Sequence, residues 1–240
     1  REALRLLDRL RARAGDALTG FEFMMGVVVD FVLRHMPGAA LPLEAGRPAY
    51  VLAELASPDP DADLAQRLEA TLADAMEEGL VADAAIAASL AQARAMWRLR
   101  EGISEAQRHE GGSIKHDVSV PVSRVADFIE TARAACEAAM PAVRVAAFGH
   151  FGDGNIHFNL SQPEGMDKAA FLGQWGRFNR IVHDIAAGMG GSFSAEHGIG
   201  LIKRGEMARY KDPVALDVMR SIKRALDPGN LMNPGKVLPD

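Results

Sequence analysis

Histidines flanked by glycines mark the first stretch of this sequence that could do chemistry. Residues 148–159 include His150 and His157, which stand on either side of Asp153-Gly154. An Asp-Gly pair between strand-like runs is a strong signal for a two-residue hairpin turn. With that turn His150 lies directly opposite His157, and opposed side chains have Cβ atoms about 4.5–5.5 Å apart. Two imidazoles at that separation can bind one divalent ion. A longer loop would break the direct pairing but would keep the histidines close.

A carboxylate and a third histidine form the second stretch. Glu196 and His197 lie within residues 194–200, after a helical segment and a glycine-rich loop. Glu196 could complete a His-His-carboxylate set that leaves one position open for a substrate oxygen. Asn159 lies two residues beyond His157 and therefore points to the same face of its strand. Any one of these histidines alone is more often structural, but together they favour a binding site.

The elements that must position these residues alternate between helix and strand. A strongly apolar segment at 21–36 reads as a second helix or a buried segment, and Glu22 within it is a polar anchor of unspecified role. Ser123 is expected to cap the helix that carries Cys136, whose place on the apolar stripe favours a buried, inert thiol. The patterns predict helices at 1–13, 62–79, 89–108, 123–140, 168–187 and 213–226, strands at 49–57, 80–87 and 113–120, and the hairpin at 143–160;.

Further polar residues lie on the predicted helix 89–108 and strand 113–120. Arg100 and Ser104 are four residues apart and share one helix face;. Strand 113–120 alternates, with Lys115 on its polar side;. Lys115 is either part of a site or an exposed lysine paired with Asp117, and the pattern does not decide between them. The element order predicts an α+β fold with helices covering a mainly antiparallel sheet.

Composition limits the classes of function. The chain has 240 residues, of which 48% are hydrophobic and 25% charged, as in an ordinary globular protein;. A net charge of −5 argues against a nucleic-acid-binding surface;. No run approaches the length of a membrane span, and the single cysteine suits a reducing compartment;. We therefore expect a cytoplasmic chain, with peripheral membrane association through an electron acceptor as an alternative.

Three motifs taken together resemble one family. The segments 149–157, 194–200 and 227–236 are similar to the C-terminal domain of FAD-linked oxidases, the vanillyl-alcohol-oxidase-like flavoenzymes. Within that family, Arg100-Glu101 followed by Ser104, and Lys115 in its strand, look most like the D-2-hydroxyglutarate dehydrogenase branch. D-lactate dehydrogenase and the glycolate oxidase flavin subunit belong to the same group. Ser104 departs from the usual Thr but keeps the hydroxyl group.

The resemblance implies a fold, a cofactor and a role for each site residue. It implies ferredoxin-like α+β subdomains across residues 1–240 and a preceding FAD-binding domain that is absent from this chain. The implied residues are His150, His157 and Glu196 for a zinc-like divalent metal, Arg100, Ser104, Lys115, Asn159 and His197 for the substrate, His197 as the catalytic base and Asn233 for the FAD cofactor.

The chemistry of a 2-hydroxy acid fits these implied roles. A base takes the hydroxyl proton while hydride leaves the α-carbon for the flavin, and a metal stabilises the developing alkoxide. Two cations, Arg100 and Lys115, favour a dicarboxylate such as D-2-hydroxyglutarate over lactate or glycolate. A zinc hydrolase and a non-catalytic metal or ligand sensor are the alternatives from other classes. The electron acceptor is not specified, and a homodimer is compatible with the sequence.

Overall fold

An antiparallel sheet forms the centre of the computed structural model, which describes residues 1–239. Its strands run in the spatial order β2-β1-β5-β6, and both β3 and β4 pair with the free edge of β6. Helices cover the sheet, so the predicted α+β class with an antiparallel sheet is confirmed. The strands are β1 (Leu18–Met25), β2 (Ala49–Leu55), β3 (Ser113–Ile114), β4 (Asp117–Ser119), β5 (Arg144–His150) and β6 (Asn155–Ser161).

Ten α-helices connect or flank these strands within residues 1–239. The resemblance implies ferredoxin-like subdomains. The six strands of residues 1–239 all belong to one continuous sheet. The helices are α1 (Glu2–Ala14), α2 (Gly26–His35), α3 (Leu64–Glu77), α4 (Leu90–Glu101), α5 (Ile103–Ala106), α6 (Val125–Ala139), α7 (Lys168–Leu172), α8 (Trp175–Gly188), α9 (Arg204–Tyr210) and α10 (Pro213–Leu226).

The two faces of the sheet have different hydrophobic cores because side chains alternate along each strand. Phe21, Phe23, Ile156 and Phe158 point to the face that is covered by α1, α3, α6 and α8. Met24, Tyr50 and Phe148 point to the other face, where α2, α4 and α5 pack. The polar residues of β1, β5 and β6, among them Glu22, His150 and His157, point to this second face.

The predicted helix or buried segment at 21–36 is divided between strand and helix. Residues 18–25 form β1, which pairs with β2 on one side and with β5 on the other. Gly26 then begins α2, and its N–H donates to the carbonyl of Pro48 over 2.8 Å. A Cβ atom on Gly26 would lie 2.1 Å from the Arg47 carbonyl oxygen, so glycine permits the close approach that ends the strand;.

Several other boundaries differ from the sequence predictions. The predicted strand 80–87 is wrong: Leu80 and Val81 donate to the Ala75 carbonyl and end α3, and no strand forms there. The N-cap of α3 is Asp63, and α6 begins after Arg124 without a side-chain cap from Ser123. The predicted strand 113–120 is interrupted between β3 and β4. There the buried ring of His116 is hydrogen-bonded through Nδ1 to the carbonyl oxygen of Phe158 at 2.7 Å.

Two predicted helices are shorter than expected, and one was missed. The helix at 89–108 begins at the Ser89 cap as α4 but ends at Glu101, with α5 after Gly102. The helix at 168–187 divides into α7 and α8. Helix α9 was not predicted, whereas the prediction for α10 is confirmed.

The two ends of the chain pack to different extents. The arginines of α1 lie near carboxylates of neighbouring helices, as when Arg13 contacts Asp74 at 2.5 Å. After α10, Leu231 is 84% exposed, while Leu238 packs against the small cluster of Phe193, Met207 and Leu216. Across residues 1–239 no helix has both the length and the apolar character that a membrane span requires.

Candidate metal and substrate site

The β5–β6 hairpin has a four-residue loop, 151–154, which changes its register. His150 pairs with Asn155, and His157 pairs with Phe148. The prediction that the histidines are directly opposed is therefore wrong. Because paired residues point to the same face, His150 and His157 still share one face at adjacent ladder positions. Their coordinating atoms and one from Glu196 all lie within 4.8 Å of one another, so the predicted proximity is confirmed.

Contacts with distant parts of the chain hold the longer loop. Phe151 N–H donates to the carbonyl of Phe21, and an Arg11 Nη2 donates to the carbonyl of Gly152 at 2.5 Å. Gly154 has φ +82°, and a Cβ atom there would lie 2.0 Å from the Val120 carbonyl oxygen. Only glycine combines that dihedral angle with that approach. The loop thus depends on α1, β1 and the segment after β4.

Register alone brings the polar residues into two adjacent rows across the sheet. One row runs from Glu22 on β1 through His150 to Asn155 and Ser119. The next row runs from Met24 through Phe148 to His157 and Asp117. Residues far apart in sequence, on β1, β4, β5 and β6, therefore surround the same patch of the sheet.

Glu196 faces both histidines from the loop that precedes α9. Its Oε1 lies 3.7 Å from Nε2 of His150, and its Oε2 lies 3.7 Å from Nε2 of His157. Ligand atoms at about 2.0–2.1 Å from a tetrahedral ion are about 3.4 Å apart. The set of two imidazole nitrogens and one carboxylate, with Glu196 half exposed, fits a divalent metal with an open coordination position;.

A buried carboxylate holds the loop that carries Glu196. Asp117 Oδ2 accepts hydrogen bonds from the backbone N–H groups of Ala195, Glu196 and His197, at 3.1, 3.0 and 2.9 Å. Burial alone would raise the pKa of Asp117, but the hydrogen bonds from His197 and Glu196 bring the pKa below its ordinary value. The Asp117 carboxylate therefore stays ionised and fixes the backbone of this loop.

Lys203 supports the same loop from the other side. Its ammonium donates to Ser194 Oγ at 2.9 Å and to the Phe193 carbonyl at 3.3 Å, and it lies 3.8 Å from Asp117 Oδ2. Burial lowers the pKa of Lys203, which the nearby Asp117 partly offsets. The loop thus has a fixed backbone, although the Glu196 and His197 side chains reach solvent.

His197 stacks against one of the two strand histidines. Its ring centroid lies 5.7 Å from that of His157, and its side chain is 59% exposed. Burial lowers the pKa of His157, and the nearby Arg100 lowers it further. At neutral pH His157 is therefore uncharged and has a lone pair available for a metal.

A second group of coordinating side chains shares His157. Asp117, His157 and His197 also have coordinating atoms within 4.8 Å of one another. In this group Asp117 is buried; its Oδ2 accepts three backbone hydrogen bonds, while its Oδ1 has no hydrogen-bond partner among residues 1–239. The first group offers the Nε2 atoms of both strand histidines and a half-exposed carboxylate, and either group could hold a metal ion.

Arg100 lies beside the histidines. Its Nε donates to Glu22 Oε2 at 2.6 Å, and its guanidinium lies 4.8 Å from the centroid of the Phe148 ring. Since only Nε is used in that bond, the two terminal amino groups keep donors for a ligand. Helix α4 therefore presents a guanidinium at the edge of the metal-binding group.

The other predicted substrate residues differ in their surroundings. Asn159 is buried on β6, and its amide donates to Gln107 at 2.9 Å. Lys115 is exposed in the break between β3 and β4, and partial burial lowers its pKa. Asp117 bonds to the backbone of residues 195–197, so in residues 1–239 the proposed Lys115–Asp117 pair does not form. Ser104 is exposed on α5, and no hydrogen bond joins it to the histidines in the described chain.

The predicted flavin residue lies far along the chain from this patch. Asn233 adopts φ +49° in the exposed tail, and its Oδ1 accepts from Lys236 at 3.1 Å. A single exposed amide does not form a flavin pocket.

Sequence reasoning missed the roles of three residues around the site. Glu22, Asp117 and Lys203 hold the strand histidines, Arg100 and the Glu196 loop in position. Only Glu22 had a local signal, namely a carboxylate within an apolar run. The positions of Asp117 and Lys203 depend on strand pairing and on a loop contact, which no local pattern records.

Comparison with known proteins identifies the family. Residues 1–237 match the family described as FAD linked oxidases, C-terminal domain, and the chain belongs to that family. It is similar to the mitochondrial D-2-hydroxyglutarate dehydrogenases of Arabidopsis thaliana, at 37% identity over 98% of this chain and 40% of that protein, and of Bos taurus, at 35% over 99% and 42%. It is also similar to the D-2-hydroxyglutarate dehydrogenase of Xanthomonas citri pv. viticola, at 38% over 94% and 47%.

A solved structure shares the fold. The crystal structure of p-cresol methylhydroxylase with substrate bound superposes with a TM-score of 0.63 at 13% identity, covering 98% of this chain and 50% of that one. The chain spans less than half the length of the dehydrogenases that it matches. The predicted resemblance to the C-terminal domain of FAD-linked oxidases is confirmed.

Proposed function

We propose that this chain forms the substrate- and metal-binding part of a flavoenzyme that oxidises a D-2-hydroxy acid to the 2-oxo acid. D-2-hydroxyglutarate is the proposed substrate. One observation carries the proposal: His150, His157 and Glu196 converge on one face of the sheet, next to the guanidinium of Arg100. The names of the similar dehydrogenases support the same substrate class.

A divalent cation, with zinc the first candidate, would be held by His150, His157 and Glu196. The imidazole nitrogens and carboxylate oxygen are donors that zinc accepts in catalytic sites. Bound there, the ion would polarise the hydroxyl and carboxylate oxygens of the substrate. The chain itself provides a rigid sheet for two ligands and a fixed loop for the third.

His197 is the proposed base for the hydroxyl proton. Its ring lies against His157, at 5.7 Å between centroids, and its exposed side chain can reach a substrate in the open part of the site. An imidazole changes protonation near neutral pH and can accept a proton in each turnover. The backbone bond from His197 N–H to Asp117 keeps the residue beside the metal ligands.

Cations and hydrogen-bonding groups around the patch are proposed to bind the substrate carboxylates. Arg100 keeps its terminal amino groups for a carboxylate, and a bidentate pair of this kind is strong and directional. Lys115 adds a second cation, while Ser104 and Asn159 are proposed to donate weaker hydrogen bonds. Two cations favour a substrate with a distal carboxylate.

The flavin cofactor, FAD, is proposed to bind mainly to a separate FAD-binding domain that packs against this chain. When bound, FAD accepts the hydride from the α-carbon of the substrate. Asn233 is the proposed contribution of this chain to its binding. Support comes from the family and from the exposed apolar stripe of α10, where Val214, Val218 and Ile222 are each more than half exposed.

A cytoplasmic location and a homodimer complete the proposal. The buried free thiol of Cys136 is compatible with a reducing compartment;. Cell fractionation tests the location. Sedimentation of the purified chain tests the dimer.

Steady-state kinetics of the FAD-loaded flavoprotein that contains this chain tests the proposed function. We expect kcat/KM to be highest for D-2-hydroxyglutarate, well above D-lactate and glycolate. Lys115→Gln should reduce kcat/KM for the dicarboxylate by about 10–100-fold, since a charged hydrogen bond contributes about 1.5–3 kcal/mol, and should leave kcat/KM for D-lactate nearly unchanged. Equal turnover of D-lactate contradicts the dicarboxylate assignment, and hydrolysis without flavin reduction contradicts the whole reaction class.

A further inference from the structure

Glu22 is a carboxylate in the interior of a central strand. It lies in the middle of β1, flanked by β2 and β5, and only 2% of its surface is exposed. An ionised carboxylate in such a place is stable only with charged or hydrogen-bonding partners. The neighbouring residues of β1 are apolar, so those partners come from other elements.

Each oxygen of Glu22 has one basic partner. Oε1 lies 2.5 Å from Nδ1 of His150, and Oε2 accepts from Nε of Arg100 at 2.6 Å. The first contact follows from strand register, because Glu22 and His150 are direct partners in the β1–β5 ladder. The second contact comes from α4, which crosses the same face. One side chain therefore joins the histidine of β5 to the arginine of α4.

The contact with His150 favours one placement of the ring hydrogen. Because an ionised carboxylate only accepts, an oxygen 2.5 Å from Nδ1 favours the tautomer with its hydrogen on Nδ1;. That tautomer has its lone pair on Nε2, the atom 3.7 Å from Glu196. Carboxylates behind metal-binding histidines act in this way and are nearly as important as the ligands themselves.

The contact with Arg100 fixes the other half of the site. Because Nε bonds to Glu22, the guanidinium can rotate little, and its two terminal amino groups keep donors for a ligand;. The position of the guanidinium relative to Nε2 of His150 is thus set by one side chain.

We propose that Glu22 is a positioning residue that orients Nε2 of His150 towards the metal position and holds Arg100 at a fixed distance from it. This inference rests on the proposed function, because it gives the metal site and the substrate arginine a common support. It predicts that substrates are selected by the distance between the metal-bound end and the distal carboxylate.

The chain contains a matched control for the same chemistry. The Glu110 side chain is only 7% exposed, and it contacts Nε2 of His35 at 2.6 Å, Arg34 at 2.8 Å and Arg144. Arg144 and His150 are the first and last residues of β5, so they lie about 20 Å apart at 3.3 Å per residue;. Glu110→Gln therefore disturbs a buried His–carboxylate–Arg cluster without touching the site.

The experiment compares the 240-residue chain with Glu22→Gln, Glu22→Asp and Glu110→Gln. Cobalt titration gives metal affinity, nitrogen-15 NMR of the metal-free chain gives the His150 tautomer, and circular dichroism checks folding. We expect Glu22→Gln to move the hydrogen of His150 to Nε2 and to weaken cobalt binding by about 10–100-fold. Glu110→Gln should bind cobalt like the wild type.

Glu22→Asp separates positioning from charge neutralisation. The shorter carboxylate keeps the charge but cannot contact His150 and Arg100 together, so we expect weaker cobalt binding for this variant also. Wild-type affinity in Glu22→Asp, or an unchanged His150 tautomer in Glu22→Gln, overturns the inference. If the wild-type chain binds no cobalt, the proposed metal site fails, while the tautomer still decides the role of Glu22.

Discussion

At the scale of single residues, burial determines which titratable groups can take part in chemistry. His157 and His197 lie at the site. His116, in contrast, is buried in the segment between β3 and β4, and its Nδ1 is hydrogen-bonded to the carbonyl oxygen of Phe158. Burial lowers the pKa of His116 to about 3. It is therefore a neutral structural histidine at all physiological pH values.

His116 should make stability depend on pH. Its pKa is lower in the folded chain than the ordinary value of about 6.5 in the unfolded chain, so the unfolded chain binds the extra proton below pH 6.5;. The contribution of His116 to the free energy of unfolding is therefore fully present above pH 6.5. It is lost as the pH falls towards 3, by about 1.4 kcal/mol per pH unit. Urea unfolding of wild type and His116→Gln between pH 7 and pH 5 measures the difference in slope. Equal slopes would show that His116 does not contribute.

Cys136 should be chemically inert in the folded chain. It is fully buried on α6, and burial raises the pKa of its thiol to about 12. Because the thiolate is the reactive form, a thiol reagent at pH 8 should label no cysteine in the native chain and one per chain in urea. Rapid native labelling would place Cys136 outside the core.

At the scale of elements, the site depends on one loop and one hairpin. The loop 194–197 carries Glu196 and His197, and Asp117 on β4 holds it through three backbone hydrogen bonds. The hairpin loop 151–154 sets the register of the two strand histidines.

Removing the Asp117 carboxylate charge should release the loop. In Asp117→Asn the side-chain oxygen can still accept, but the bonds to Ala195, Glu196 and His197 lose their charge-assisted character;. We expect faster amide hydrogen exchange in residues 195–197 and metal affinity reduced about tenfold. Hydrogen exchange with peptide-level mass spectrometry measures the first effect. Unchanged protection would mean that Lys203 alone holds the loop.

The hairpin loop should tolerate no side chain at residue 154. Gly154→Ala adds a Cβ atom 2.0 Å from the Val120 carbonyl oxygen at φ +82°, whereas Gly165→Ala, at φ +75°, meets nothing within 4 Å. Gly165→Ala, the control, should lower the free energy of unfolding only by the dihedral strain, about 1–2 kcal/mol. Gly154→Ala should lower it clearly more. Urea unfolding of both variants checks this, and equal losses would contradict the role of the close contact.

At the scale of the whole molecule, local patterns predicted the class of fold and the proximity of His150, His157 and Glu196, but not how these residues are arranged. The histidine, Glu196 and Arg100 motifs were readable because their residue types and glycines lie close together in sequence. The hairpin register was not readable, because contacts from Arg11, Phe21 and Val120 select the four-residue loop. Glu22 was visible as an anomaly, but its role depends on the pairing of β1 with β5.

Helix and strand boundaries failed for a related reason. The segment 80–87 has strand-like residues, yet its first two N–H groups end α3 at the Ala75 carbonyl. The segment 21–36 is mostly apolar because β1 is covered on both faces and much of α2 is buried, so periodicity alone could not divide it;. In both segments, tertiary packing determined where the helices and strands begin and end.

Metal analysis of the purified chain and two ligand variants tests the central claim most directly. After incubation with zinc and removal of excess ion, we expect about one zinc per wild-type chain and a loss of most of it in His157→Ala and in Glu196→Ala. The variant His35→Ala, which lies in the distant Glu110 cluster, should keep its metal. Zinc in the wild type and in both ligand variants alike, or none in the wild type, would contradict a metal site formed by His150, His157 and Glu196.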